Sequence, residues 1–191
     1  MLKKVDLKEF KEIYRKHIIK DFPREERTTL NKFKKRVTRG QEEVYLYAEG
    51  EKEKAYIIIA NLDNYVLVSF LAVFEECRGE GIGTKLLKEI ETNFSNKKGI
   101  ILEVENPQYS TSQDEKEIRQ RRIKFYQRSN YNIVDGLEIS LHSTIFNIMM
   151  LNINNTKIDK QEISKELNDF YTNIFRRYDK TLSFKIIKNI K

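Results

Sequence analysis

Apolar residues recur at helical spacing over residues 5–20, where Leu7, Phe10, Ile13, Tyr14, His17 and Ile18 fall on one face and Asp6 is placed to cap or open the first turn. The start of the chain, residues 1–6, reads as charged and leading straight into this helix. Pro23 breaks the pattern, Phe22-Pro23-Arg24-Glu25-Glu26 reads as an interhelical turn, and a second, weaker helical segment over residues 29–39 stops at Gly40. The pattern then changes character. Residues 44–49, 54–61 and 65–74 are rich in Val, Ile, Leu, Tyr and Phe and are separated by turn signals, which predicts an antiparallel meander whose last strand is buried on both faces.

A glycine-rich turn follows. Beyond it Ile82, Leu86, Leu87, Ile90 and Phe94 make one apolar stripe, Lys97-Lys98-Gly99 ends that helix, and residues 100–104 return as a strand, completing a strand-helix-strand crossover. The polar run over residues 106–116 reads as a loop, followed by a charged helix over residues 117–128 carrying Ile118, Ile123, Phe125 and Tyr126. Strands are expected near residues 131–134 and 144–151. After an Asn-rich junction at residues 152–155, helical spacing resumes over residues 159–176 at Ile163, Leu167, Phe170, Tyr171 and Ile174.

Composition narrows the class. With 191 residues and 39% hydrophobic content, one domain with a sizeable core is expected, plus a terminal appendage. No run approaches the ~18 apolar residues that span a bilayer, so a cytoplasmic protein without a membrane partner is expected. Cys77 is the single cysteine and His17 and His142 lie far apart, which argues against a disulfide, a zinc site or any metal, and against a thiol nucleophile. The two histidines read as a helix-face residue and a strand-turn residue. The net charge of +7 is unevenly spread: residues 1–40 hold 14 Lys+Arg against 6 Asp+Glu, residues 153–191 hold 9 against 5, and the middle is net negative. Basic ends around an acidic centre argue against nucleic acid as the main partner and suit a cationic substrate.

The glycine turn carries the chemistry. Glycines at 79, 81 and 83 free backbone N–H groups to point into one concavity, which the positive end of the next helix faces, so an anion is expected there. A Walker loop needs Gly-Lys-Ser/Thr, and here Gly83 is followed by Thr84 and then Lys85. A dinucleotide turn needs a third glycine where Thr84 stands, although Glu103 lies about twenty residues on, where a ribose-binding acid would. The pattern Arg/Gln-x-x-Gly-x-Gly/Ala fits at Arg78, Gly81 and Gly83, and with the Leu71-Ala72-Val73 strand, the Gly-Ile-Gly-x-x-Leu-Leu helix start, the Leu102-Glu103-Val104 strand and Arg122-Ile123-x-Phe125-Tyr126-x-Arg128-x-x-Tyr131, the chain resembles the GCN5-related N-acetyltransferases (GNAT).

The resemblance implies an α/β fold of α+β type: a central mixed, mostly antiparallel sheet splayed between its fourth and fifth strands, helices on both faces, and a C-terminal helical extension. It implies a GNAT domain over residues 1–154, with its core at 44–151 and substrate-covering helices at 5–39, and a basic helical extension over residues 155–191 that packs on the core or forms a homodimer contact. It implies acetyl-CoA as co-substrate, held by Leu71, Ala72, Val73, Arg78, Gly79, Glu80, Gly81, Ile82, Gly83 and Thr84, and direct attack by the amine of a small molecule or peptide. By position in the family pattern Tyr126 is the general acid and Glu103 the base, with Glu75 and Glu105 as substitutes and as acceptor contacts. Phe22 lies where members place acceptor contacts, and one of Arg121 and Arg122, otherwise a solvated pair, could help hold phosphates. Glu75 stands where members often have proline. Two other readings stay open: a non-catalytic acyl-CoA sensor or interaction module, and an RNA- or ribosome-associated acetyltransferase docked by its basic tail.

Overall fold

The computed structural model describes residues 1–22, 24, 27–141, 144–178 and 184–188. Pro23, Glu25 and Glu26 of the expected interhelical turn, His142, and residues 179–183 and 189–191 of the C-terminal extension lie outside the described residues. The chain forms two compact units, Met1–Asn61 with Val66–Ser95, and Leu62–Tyr65 with Asn96–Lys191.

In the first unit the chain opens as strand β1 (Leu2–Lys4), not as the start of a helix; Leu2, Lys3 and Lys4 pair with Tyr47, Leu46 and Tyr45. Three residues show no periodicity, and it is the hydrogen bonds offered by a neighbouring edge that make them a strand. Helix α1 (Leu7–Ile13) starts at Asp6 in a capping box: the Asp6 carboxylate accepts from the Lys8 and Glu9 amides, both at 2.8 Å, while Glu9 accepts from the Asp6 amide. The helix continues as a π-turn over Tyr14–Ile18 and ends in the short α2 (Ile19–Asp21). Helix α3 (Leu30–Thr38) follows, stopping before Gly40 at φ +67°.

Strands β2 (Glu43–Glu49), β3 (Lys52–Asn61) and β4 (Tyr65–Val73) form the antiparallel meander, the first residue of β4 counting with the second unit. Phe10, Ile13, Tyr14 and Ile18 pack with Phe33 against Val44, Leu46, Tyr56, Ile58 and Phe74, each large side chain contributing roughly 1.5–3 kcal/mol of burial. Ile57 and Ile59 point to the opposite face, and helix α4 (Ile82–Asn93) packs on β3 with Ile82, Leu86, Leu87 and Ile90 buried. That explains why residues 55–60 of β3 are all buried. In β4 burial on both faces holds only for the first four residues; the rest of the strand is partly exposed. Between the pairs Ile58↔Phe70 and Ile59↔Val68, Ser69 is an extra residue, a bulge that re-aims the strand's last residues.

The second unit holds β5 (Gly99–Glu105), α5 (Gln113–Gln127), β6 (Asn132–Leu141), β7 (Thr144–Asn152), α6 (Lys160–Tyr178) and β8 (Phe184–Lys188). All its described pairings, β5 with β7, β7 with β6 and β6 with β8, are antiparallel. Three boundaries differ from expectation. Helix α5 begins four residues earlier than the apolar pattern indicates, because Ser112 caps it through the Glu115 amide and a polar first turn has no stripe to reveal it. Strand β6 runs to Leu141, with residues 134–137 bulged opposite Ile148, and β8 lies within the expected helical extension. As expected the helix is charged: Ile118 is 43% exposed, Ile123, Phe125 and Tyr126 are half-buried, and the buried residue is Arg119, whose guanidinium donates to the Asn106 carbonyl at 3.0 Å and meets Glu115 and Glu105. No helix among the described residues is long and apolar enough to cross a membrane.

Candidate active site

Strand β4 ends at Val73, and the Phe74 amide donates to the Lys54 carbonyl at 2.8 Å. A 3-10 turn over Glu75–Cys77 then buries the Cys77 thiol and turns the chain out to Arg78. Gly79 and Gly81 adopt φ +84° and +74°, a region that costs an L-residue roughly 1–2 kcal/mol. A Cβ at either would meet nothing within 4 Å, so the demand for glycine is conformational and leaves open space above the turn. Gly81 is the N-cap of α4, and the Lys85 amide makes the first helical bond, to the Gly81 carbonyl at 3.2 Å. The amides of Ile82, Gly83 and Thr84 precede it, in the turn that has no intrahelical acceptors, at the positive end of a twelve-residue helix.

Charged side chains fix this loop. Lys54 on β3 lies 2.9 Å from both Glu49 and Glu80, and Lys85 lies 2.6 Å from Glu49. Lys54 thereby holds the Glu80 carboxyl below its usual range and neutralises the one acid inside the glycine turn. Arg78 donates from Nε to the Val73 carbonyl at 3.2 Å and from its terminal nitrogen to Asp21 at 3.0 Å. The other Asp21 oxygen accepts from Tyr56 at 3.1 Å, so the end of α2 is tied to the turn. His17, in the π-turn, stacks on Phe74 at 4.0 Å between centroids, and burial lowers its pKa while Asp21 and Glu76 oppose the shift.

The register of β4 decides which backbone groups are free of β3. The Phe74 amide bonds Lys54, one residue to the side of the Val73↔Ala55 pair, which makes that pair and Leu71↔Ile57 non-hydrogen-bonded. Leu71 and Val73 therefore turn their N–H and C=O groups to the other edge of the strand, while Ala72 pairs back to Tyr56 and its side chain joins the aromatic core.

The remaining expected site residues divide by unit. Phe22 and Glu75 are in the first: Phe22 packs edge-on against Phe70 at 4.8 Å, as a packed aromatic would, and Glu75 is exposed. Glu103, Glu105 and Tyr126 are in the second. Glu105 lies between two guanidiniums, Arg119 at 3.2 Å and Arg122 at 2.6 Å, an ion pair that also engages Arg122. Glu103 accepts from the Tyr171 hydroxyl, 2.7 and 2.6 Å from its two oxygens. Tyr126 lies against Phe125 and Tyr131, at 5.0 and 6.1 Å between centroids. Burial raises its pKa, with Arg122 opposing, which keeps the phenol protonated at neutral pH. Sequence reasoning missed Asp21, Tyr56 and Tyr171; none stands in a motif, and each reaches its partner across 35 residues or more.

Strand β4 thus delivers an Arg-led glycine turn to the start of α4, in a mixed α/β chain with antiparallel ladders. The family model for the acetyltransferase (GNAT) domain matches residues 40–133. The Bacillus subtilis (strain 168) protein YjbC, named for an inferred acetyltransferase activity, is 27% identical over 133 residues; the match covers 68% of this chain and 65% of YjbC, just under two thirds of its length. A GNAT-family structure from Bacteroides thetaiotaomicron superposes with a TM-score of 0.67 at 17% identity, over 94% of this chain and 98% of that one. The structure of Arabidopsis thaliana NAA60 in complex with acetyl-CoA gives 0.54 at 16% identity, over 81% and 99%. Over residues 40–133 the chain is similar to the GNAT acetyltransferases.

Proposed function

We propose that this protein is an N-acetyltransferase that moves the acetyl group of acetyl-CoA to an acceptor amine by direct attack. The observation that carries the reading is the turn over residues 78–84: two left-handed glycines, open space above them, and amides without helical acceptors at the start of α4. The residues suit a pyrophosphate. Arg78 and the amides of Ile82, Gly83 and Thr84 hold it, Gly79 and Gly81 let the backbone approach, and Glu80 stays neutralised by Lys54. The outward-turned backbone of Leu71 and Val73 suits the amide-rich pantetheine arm, and the Val73 amide suits a thioester oxygen. The bound co-substrate supplies the acetyl thioester.

Tyr126 protonates the departing sulfur; its phenol, whose pKa burial raises, carries the proton at neutral pH. Glu103 takes the proton of the attacking amine, directly or through water, and its carboxylate accepts from the Tyr171 hydroxyl, which orients it. The test is a screen of diverse amines for acetyl-CoA-dependent release of free CoA. Release with at least one amine is the expected result. Tight acetyl-CoA binding without release from any of them would replace this reading with that of an acyl-CoA sensor.

A further inference from the structure

Helix α6 belongs to the part of the chain outside the family's common core, yet its face is built into the second unit. Ile163, Leu167, Tyr171 and Ile174 are buried along it. Its first turns are anchored by polar contacts: Glu162 accepts from Lys98 and from Tyr65, both at 2.7 Å, and Glu166 accepts from the Asn64 side chain at 2.8 Å and its backbone amide at 3.1 Å. Tyr171, two turns further on, is only 7% exposed and its ring meets Phe170 edge-on at 5.1 Å. A ring fixed in this way gives its hydroxyl little freedom. That hydroxyl lies within 2.7 Å of both oxygens of Glu103, close enough to define the plane of the carboxylate on β5.

We propose that Tyr171 is a positioning residue for Glu103, so that α6 takes part in acetyl transfer by holding the base in one rotamer; this rests on the function proposed above. The proton balance involves Glu103 alone. Its carboxylate takes the proton of the attacking amine and passes it to solvent, while Tyr171 keeps its own proton throughout. A misdirected carboxylate costs rate and leaves acetyl-CoA binding untouched, since the anion-binding turn is built from other residues.

The experiment is a double-mutant cycle of Tyr171→Phe and Glu103→Gln in the full chain, with kcat, KM for acetyl-CoA and thermal unfolding measured for each variant. Tyr171→Phe should lower kcat about tenfold with KM unchanged, and should cost nothing further once Glu103 is glutamine. Unchanged kcat in Tyr171→Phe, or the same loss in both backgrounds, would overturn the proposal; the second result marks a purely structural hydroxyl. Absence of turnover by the wild type with every amine would remove the acetyl-transfer reading and this one together. Wild-type turnover that Tyr171→Phe does not alter removes this one alone.

Discussion

Replacing Gly81 by alanine and by glutamate separates the backbone's contribution at the turn from the anion's. Gly81 sits at φ +74° with nothing within 4 Å of where a Cβ would stand, so alanine adds no clash and costs only its place in the left-handed region, about 1–2 kcal/mol. For a chain of this length that lowers the melting temperature by about 2–8 °C. Glutamate has the same backbone cost and adds a negative charge at the helix start. With two phosphate charges about 6 Å away and an effective dielectric of about 40–80, the added repulsion is about 1.4–2.8 kcal/mol, a loss of roughly 10- to 100-fold in affinity. Calorimetric titration with acetyl-CoA should find Gly81→Ala close to wild type and Gly81→Glu weaker by that factor, with the gap narrowing as salt is raised. Equal affinities for the two variants would refute the assignment of the pyrophosphate to this turn, whatever their melting temperatures.

Tyr126→Phe should lower kcat roughly a hundredfold or more while acetyl-CoA affinity holds, as expected for a lost general acid; steady-state kinetics with calorimetry decides, and unchanged kcat removes Tyr126 from the mechanism. Gly99→Ala brings a Cβ to 2.8 Å from the Leu151 carbonyl and 3.0 Å from the Met150 sulfur, so urea denaturation should show a loss of about 1–3 kcal/mol. Hydrogen bonds from Lys85 and Lys54 hold the Glu49 carboxyl at about 2, against an ordinary 4.5. A depressed carboxyl stabilises the fold fully above its unfolded pKa and loses that contribution as pH falls through the folded one. The melting-temperature difference between wild type and Glu49→Gln should therefore be constant above pH 4.5 and shrink toward pH 2; a difference that persists there would show that the network with Lys54 and Lys85 does not depend on the charge of Glu49.

The elements read correctly along the chain are those whose cause is local. The stripe Ile82, Leu86, Leu87 and Ile90 specifies a helix by its own spacing, Asp6 and Glu9 cap α1 within one turn, and glycines at 79 and 81 mark left-handed backbone because almost nothing else tolerates it. That is also why the conformation of the glycine turn was legible in the sequence: it depends on a few consecutive residues. Edge strands β1 and β8 were not legible, since five or fewer residues become a strand by pairing with a partner distant in sequence. Nor was the burial of Arg119 on α5, where it meets Glu105 and the Asn106 carbonyl.

Resemblance in sequence puts Glu103 first as base, with Glu75 and Glu105 as substitutes, and the three differ in the partners that the fold brings to them. Glu105 forms ion pairs with two arginines, Glu75 is exposed, and Glu103 accepts a hydrogen bond from a tyrosine 68 residues away. Likewise Arg78 is marked by its motif, whereas its bond to Asp21, 57 residues earlier, depends on where α2 ends relative to β3 and the turn. Short-range sterics write backbone conformation into neighbouring residues; the charge and orientation of a side chain depend on whichever groups the packed elements bring beside it, and those come from anywhere in the chain.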